Sequence, residues 1–186
     1  MSEIDLILNE PRKLVITDLA KGLPAITPSF GAALAEACAV CLEEQKHSQG
    51  AEITVNGDFD AKFELSWQPV TEQMLRCWND EEFTTEQAAY GIAFLIIREL
   101  TDLTVIERSR KGTGFDYWLG TSDTDEGQPF KNKVRLEVSG IRKGNLSLVK
   151  ARVKQKKEQT KVSDGEFPAY IIIVEFSTPL SYVEIK

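Results

Sequence analysis

Apolar residues recur with two different periods along the first eighty positions of the chain. Between Ser29 and about Lys46 they recur every three or four residues, which predicts an amphipathic helix after two proline breaks. Residues 52–55 and 61–67 alternate at every second position, and Asn56-Gly57 between them predicts a β-hairpin with a tight turn. With a short strand at 14–16 and a short helix at 71–78, residues 1–82 are expected to form an N-terminal extension of helix and hairpin.

From residue 83 onward the pattern predicts one long apolar helix followed mainly by strands. The helix at 86–100 is apolar nearly all round, with Thr84 or Thr85 as its N-cap in a sequence that resembles a capping box. Strands are predicted at 104–109, 115–119, 134–138 and 170–176, with a basic helix at about 146–161 before the last strand. We therefore expect one α+β domain in which residues 83–186 form an α/β-type core, a mixed sheet in helix–strand–strand–strand–helix–strand order.

Composition narrows the class of protein without giving its function. The chain has 186 residues, of which 42% are hydrophobic and 27% charged, and this excludes a disordered chain. The apolar stretch at 92–97 is too short to cross a bilayer, and the acidic N-terminus lacks the basic flank of a secretion signal. Three cysteines and one histidine argue against a disulfide scaffold, a zinc site and a Ser-His-Asp or Cys-His mechanism. We expect a cytoplasmic protein without membrane contact.

Charge is strongly segregated along the chain. The net charge is −7, yet residues 131–161 contain eleven basic and two acidic side chains, whereas residues 1–103 contain seven basic and eighteen acidic ones. Because screening confines charge effects to about 10 Å, the local cluster is a better guide to a partner than the total. The segment 131–161 is therefore a candidate nucleic-acid-binding surface, with a solvated lysine-rich helix as the alternative. The acidic N-terminal half is a candidate surface for a protein partner.

Two carboxylates are predicted on neighbouring strands. Alternation places Asp116 and Glu137 on the faces of their strands opposite the apolar residues, and therefore on the same side of the sheet. A carboxylate in mid-strand is costly to bury unless it is paired or binds a cation. Carboxylate oxygens suit Mg²⁺ held partly by substrate phosphate, so Mg²⁺ or Mn²⁺ is the expected cofactor. Ordinary ion pairs are the alternative: Asp116 with Arg135 or Arg108, and Glu137 with Lys133 or Lys131.

The element order and these two acids together resemble the core of the PD-(D/E)XK nuclease superfamily, which has the restriction-endonuclease-like fold. The resemblance covers residues 86–178 and implies that Asp116 and Glu137 are both catalytic residues and metal ligands. The position of the family's lysine falls on Ser139, which cannot supply a cation. The resemblance therefore implies either lost activity or a basic group from elsewhere in the chain.

Several side chains are candidates for that basic group and for the rest of the site. Lys133 and Arg135 share the face of Glu137, while Lys150, Lys154 and Lys156 lie on the helix that follows. Some branches of the family carry a glutamine near the position of Gln155, and an additional carboxylate on the first core helix corresponds here to Glu86 or Glu99. The residues expected to contact nucleic acid are Arg135, Lys150, Arg152, Gln155 and Lys156.

Two functions from different classes follow from these observations. The first is a nucleic-acid-binding protein that cleaves phosphodiesters with a bound metal, an endonuclease of the defence, restriction or mobile-element type by family analogy. The second is a non-catalytic interaction module on a degenerate nuclease fold, such as an inhibitor, an antitoxin-like partner or an assembly subunit. Ser139 in place of lysine agrees with the second function. The long buried strands also leave a homodimer open.

Overall fold

An eight-stranded mixed sheet runs through the described chain, which comprises residues 12–121, 133–165 and 167–186 of the computed structural model. This sheet and its helices confirm the expected α+β class. The strands are β1 Arg12–Val15, β2 Glu52–Gly57, β3 Ala61–Ser66, β4 Leu103–Arg108, β5 Tyr117–Thr121, β6 Val134–Ile141, β7 Ala169–Glu175 and β8 Leu180–Ile185. The helices are α1 Pro28–Glu44, α2 Glu72–Cys77, α3 Glu81–Leu100 and α4 Leu146–Gln159, with 3₁₀ turns at Ile16–Lys21 and Thr160–Ser163.

The order of strands across the sheet is β1-β3-β2-β8-β7-β6-β5-β4. Strands β4, β5 and β6 pair antiparallel in sequence, and α4 then crosses over to place β7 parallel to β6. Strand β8 follows β7 antiparallel and pairs on its other side with β2 of the N-terminal hairpin. The sequence pattern did not predict β8, and this strand joins the N-terminal extension to the core in one continuous sheet.

Helical layers cover the two faces of the sheet. In β7, Ile172 and Val174 belong to the larger core with α1 and α3, whereas Ile171 and Ile173 pack with Val149 and Val153 of α4. Because successive side chains of a strand point to opposite faces, α4 lies on the side of the sheet away from α3. No helix in the described part of the chain is long and apolar enough to cross a membrane.

Helix α3 is buried as predicted, but it begins one turn earlier than its sequence suggested. Asp80 is the N-cap, and its Oδ1 accepts a hydrogen bond from the backbone N–H of Phe83 at 2.9 Å. Thr84 and Thr85 lie inside the helix, where their hydroxyls donate to the carbonyls of the residues four positions earlier, both at 2.6 Å. The predicted capping box is therefore wrong, because an aspartate four residues upstream competes for the same role. Helix α1 is likewise capped by Thr27 rather than Ser29.

The hairpin exists, but Asn56-Gly57 is not its turn. Strand β2 continues through Gly57, and residues 58–60 form the connection to β3. The register pairs Gly57 with Val183 of β8, and a Cβ atom on Gly57 would lie 2.0 Å from the carbonyl oxygen of Val183. The glycine is therefore needed for the close approach of β8, which a local turn rule does not detect.

Candidate functional site

The side chain of Asp116 lies against the strand that carries Glu137. Asp116 immediately precedes β5, and its backbone N–H donates to the carbonyl of Leu136 on β6 at 2.9 Å. Its carboxylate Oδ2 accepts from the backbone N–H of Val138, also at 2.9 Å. The carboxylate of Asp116 thus accepts a hydrogen bond from the main chain of the residue that follows Glu137. The two predicted acids therefore meet where β5 begins.

Glu137 is almost fully buried, with 1% of its surface exposed. Its Oε1 accepts hydrogen bonds from Nζ of Lys156 at 2.6 Å and from Nε2 of Gln159 at 3.0 Å. Its Oε2 is buried and has no hydrogen-bond partner among the described residues. Burial first, and then the charge of Asp116, raises the pKa of Glu137 to about 7, against the opposing effect of Lys156. A buried carboxylate therefore lies within reach of the charge of a second, partly exposed one.

Helix α3 contributes a third acidic side chain and a phenol to the same neighbourhood. The hydroxyl of Tyr90 donates to Oε1 of Glu86 at 3.3 Å. Burial raises the pKa of Tyr90, and the charges of Asp116 and Glu86 raise it further. Glu86, one of the two candidates for the additional carboxylate, therefore lines a groove at the end of β6 and contacts Tyr90. Glu99 is remote from the site, since its carbonyl accepts from Arg12 and its carboxylate pairs with Arg98.

Two basic side chains of α4, four residues apart, reach the acidic face of β6. Lys156 pairs with Glu137, while Nη1 of Arg152 donates to the hydroxyl of Ser139 at 2.8 Å. Positions i and i+4 lie on one face of a helix, so both side chains point toward the strand. Helix α4 therefore places a positively charged side chain against Glu137.

A groove of about 890 Å³ runs across the end of β6, with the first turns of α3 on one side and α4 on the other. Its floor is the segment from Val138 to Ile141, and glycine at 140 lets α3 approach, since a Cβ there would lie 2.5 Å from the carbonyl oxygen of Thr85. One wall is acidic and the other is basic, and Gln155 lies on the basic side. The charged residues that line the groove are Glu81, Glu82, Glu86, Arg142, Lys143, Arg152 and Lys156.

The residues predicted to contact nucleic acid lie in three different places in the structure. Arg152, Gln155 and Lys156 line the groove, whereas Lys150 lines a separate pocket on the other side of α4. Arg135 is buried, with 2% of its surface exposed, and its guanidinium donates to the carbonyls of Thr160 and Phe167 and to Ser163 and Asp164. Its proposed contact with nucleic acid is therefore corrected: Arg135 ties the loop after α4 to β6.

Of the four ion pairs considered as alternatives for the two acids, three do not form and the fourth, with Lys131, is not tested by the described residues. Arg135 pairs with Asp164, and the guanidinium of Arg108 lies over the ring of Tyr117. Lys133 pairs with Glu107 at 3.0 Å, and Lys131 lies outside the described residues. Among the described residues, the ion-pair partner of Glu137 is Lys156 of α4.

The donor set available to a metal consists of the two carboxylates. Within residues 12–121, 133–165 and 167–186, no group of three or more His, Cys, Asp or Glu side chains is placed to hold a metal ion. Mg²⁺ keeps several waters and is commonly held by one or two carboxylates with substrate phosphates, so this set fits it. The buried, unpartnered Oε2 of Glu137 is the atom that best suits such a cation.

Sequence reasoning missed two members of this site. The glutamine that contacts Glu137 is Gln159, one turn beyond the predicted Gln155, and it also accepts from Nζ of Lys156 at 3.1 Å. The three-residue spacing of Lys156 and Gln159 on one helix face was the available signal. Tyr90 was not predicted as a site residue, although it follows Glu86 by one helical turn.

Comparison with protein-family models, with curated protein sequences and with solved structures finds no significant match to this chain. The function is therefore inferred from the geometry of the residues described above.

Proposed function

We propose that this chain binds nucleic acid and hydrolyses its phosphodiester bonds with a divalent cation, Mg²⁺ or Mn²⁺. The observation that carries the proposal is the meeting of Asp116, Glu137 and Lys156 beside the groove between α3 and α4. The proposal places the protein in the cytosol, in agreement with its three free cysteines.

The order and pairing of the elements around the site support a relationship to the PD-(D/E)XK nucleases. Helix α3 precedes three antiparallel strands, and α4 leads to a strand parallel to the third. Asp116 and Glu137 lie on the second and third of these strands or at their ends, as the resemblance requires. A fold alone does not define an activity, so the proposal depends on the side chains.

The energetics of the two carboxylates favour a bound cation. The charge of Asp116 repels the buried carboxylate of Glu137, which costs free energy unless a proton or a positive charge lies between them. Lys156 neutralises one oxygen of Glu137, and Oε2 has no hydrogen-bond partner in the described part of the chain. When bound, a divalent cation would supply Lewis-acid stabilisation of the charge that develops on the phosphate.

The roles of the side chains follow from their positions. Asp116 and Glu137 would hold the cation, with Asp116 fixed by the N–H of Val138. Lys156 has three donors, of which Glu137 and Gln159 use two, so one remains to orient an attacking water or a phosphate oxygen. Arg152 on the same wall of the groove would bind a neighbouring phosphate.

A digestion assay tests this proposal. Plasmid DNA, a single-stranded oligonucleotide and an RNA are incubated with the protein in Mg²⁺, in Mn²⁺ and in EDTA. We expect cleavage that needs the metal and falls at least about 100-fold in Asp116→Asn and in Glu137→Gln. Glu107→Gln is the matched control, since Glu107 is a half-exposed carboxylate of the same sheet that also pairs with a lysine. Cleavage that survives in Asp116→Asn would show that a contaminating nuclease or another site is responsible.

A non-catalytic interaction module is the second candidate function. The acidic wall of the groove supports it, because Glu81 and Glu82 are exposed beside Phe83, whose surface is 52% exposed. A basic protein partner that binds equally to the parent and to Asp116→Asn, together with no cleavage by the parent, would favour this second function.

A further inference from the structure

The basic residues of α4 lie on two opposite sides of the helix. Arg152 and Lys156 face the groove, whereas Lys150, Lys154 and Lys157 line a smaller pocket of about 280 Å³ between α4 and β8. Val153, Tyr182 and the acids Glu158 and Glu184 complete this pocket. The spacing of i, i+4 and i+7 places the three lysines in one stripe along the helix. We call them the outer stripe.

Two members of the outer stripe carry charge that the protein does not neutralise by contact. Lys157 pairs with Glu184 on β8, and Glu158 pairs with Lys161. Lys150 and Lys154 are exposed, and neither forms an ion pair or a hydrogen bond with another residue in the described ranges. One helical turn apart on a rigid helix, these two ammonium groups are free to bind an anionic ligand.

The exposed surface of α4 between the groove and the smaller pocket carries little negative charge. Ala151 and Gln155 are exposed there, one small and one neutral, and the acid Glu158 is already paired. A polyanion that enters the groove can therefore pass over the helix without meeting an unpaired carboxylate at these positions.

We infer that a nucleic acid bound in the groove crosses α4 and places a second part of its phosphate backbone against Lys150 and Lys154. This inference rests on the proposed function and extends it to a second phosphate site. A helix with its side chains is about 10–12 Å wide, and each strand of a nucleic acid advances about 3.4 Å per nucleotide. The crossing therefore takes about three or four nucleotides, so a small phosphodiester reaches the groove alone and a longer chain reaches both sites.

Binding of labelled nucleic acid over a range of salt concentrations tests the second site. A 12-nucleotide single strand and a 12-base-pair duplex are titrated in EDTA, with fluorescence anisotropy as the readout. The test variant is Lys150→Glu with Lys154→Glu. The control is Lys13→Glu with Lys46→Glu, which makes the same change of charge at exposed lysines that line neither the groove nor the pocket.

The expected result is a selective loss in the test variant. Its Kd should rise at least about tenfold, and the slope of log K against log salt should shrink by about 1.4–1.8, because two phosphate contacts are lost. Hydrolysis of bis(p-nitrophenyl) phosphate in Mn²⁺ should be unchanged in this variant, since that small substrate reaches the groove alone. If the test variant binds both oligonucleotides more weakly, Lys150 and Lys154 contact the same strand that lies in the groove. If it binds only the duplex more weakly, they contact the complementary strand.

Failure of this inference and failure of the proposed activity give different results. Equal Kd values and salt slopes in the test and control variants would overturn the second site, even where cleavage depends on Asp116. A parent protein that binds but does not cleave would remove the proposed hydrolysis, and the binding comparison would still decide the second site. A parent that binds neither oligonucleotide would overturn both.

Discussion

The ammonium of Lys156 lies 2.6 Å from Oε1 of Glu137 and joins α4 to the middle of β6. Glu137 is 1% exposed at its side chain and Lys156 is 19% exposed, so the pair is mostly removed from water. A buried carboxylate without such a partner would cost several kcal/mol. The helix therefore supplies the positive charge that Ser139, two residues after Glu137, does not provide.

Replacing Lys156 with methionine should remove the proposed cleavage. The variant keeps most of the volume of the side chain but leaves Glu137 with Gln159 as its remaining donor among the described residues. We expect the cleavage rate to fall about 100-fold or more, measured with the oligonucleotide assay in Mn²⁺. Lys157→Met is the matched control, because Lys157 lies on the other side of α4 and pairs with Glu184. Equal losses in the two variants would contradict the role of Lys156.

Replacing Glu137 with glutamine should change the stability of the metal-free protein in a pH-dependent way. The variant should become more stable relative to the parent as the pH rises. The folded pKa of Glu137 is raised to about 7, first by burial and then by Asp116, so the parent loses stability as the pH rises from the unfolded pKa, near 4.5, to about 7. Glutamine does not titrate. The unfolding free energy of the variant relative to the parent should therefore increase between pH 5 and pH 8, by on the order of 1–3 kcal/mol. Urea titrations in EDTA at both pH values measure this, and a constant difference would refute it.

Glu175 should be a major determinant of stability. This buried carboxylate accepts five hydrogen bonds, from the N–H of Gly144 and from the N–H and hydroxyl groups of Ser177 and Thr178. It ties the end of β7 to the turn before β8 and to the entry of α4. Glu175→Gln should cost about 2–3 kcal/mol of unfolding free energy, because an amide nitrogen replaces an acceptor. Glu158→Gln, at an exposed ion pair, should change stability by less than about 1 kcal/mol.

The same residue should make the protein sensitive to acid. Burial opposes ionisation, but the donors of Ser177 and Thr178 outweigh it and lower the pKa of Glu175. A depressed folded pKa gives stability that is present above the ordinary glutamate pKa and lost as the pH falls through the folded value. The penalty of Glu175→Gln should therefore be largest near neutral pH and shrink below about pH 4. A penalty that grows on acidification would contradict this assignment.

Alanine at Gly57 should disrupt the junction between the hairpin and β8. Gly57 has a φ of +105°, and its added Cβ would lie 2.0 Å from the carbonyl oxygen of Val183. Backbone strain and the displaced strand together should cost at least about 3 kcal/mol. Gly165→Ala is a matched control, since its φ is +119° but no atom of the residues that the structure describes lies within 4 Å of the added atom. It should cost only about 1–2 kcal/mol, from strain alone. Thermal unfolding of both variants measures the difference.

One cysteine of the three should react rapidly with thiol reagents. Cys38 and Cys41 are buried in α1, and Cys77 is exposed. Burial raises the pKa of Cys41 to about 11 and also raises that of Cys38, so both thiols stay protonated and shielded. At pH 7.5 Ellman's reagent should titrate one thiol quickly in the native protein, and none quickly in Cys77→Ser. Fast reaction of Cys38 or Cys41 would contradict their packing role.

Residues on one strand or one helix face were predicted better than contacts between elements. Alternation placed Asp116 and Glu137 near each other because side-chain direction repeats every two residues in any strand. The same rule grouped Arg135 with Glu137, yet Arg135 is buried under the loop after α4, where carbonyls and Asp164 take its donors. The predicted strand face of Arg135 was correct, but the burial of its side chain depends on a segment about 30 residues away in sequence.

The sequence by itself determined the α+β class, the order of the core elements from α3 to β7, and the pair of acids, because these follow from local periodicity and from the chemistry of single side chains. The tertiary structure decided that Lys156 and Gln159, rather than another basic residue and Gln155, contact Glu137. It also decided that β8 joins the hairpin to the core. Such contacts depend on the rotation of a helix against a sheet and on pairing between distant strands, and both are fixed only when the whole core is packed.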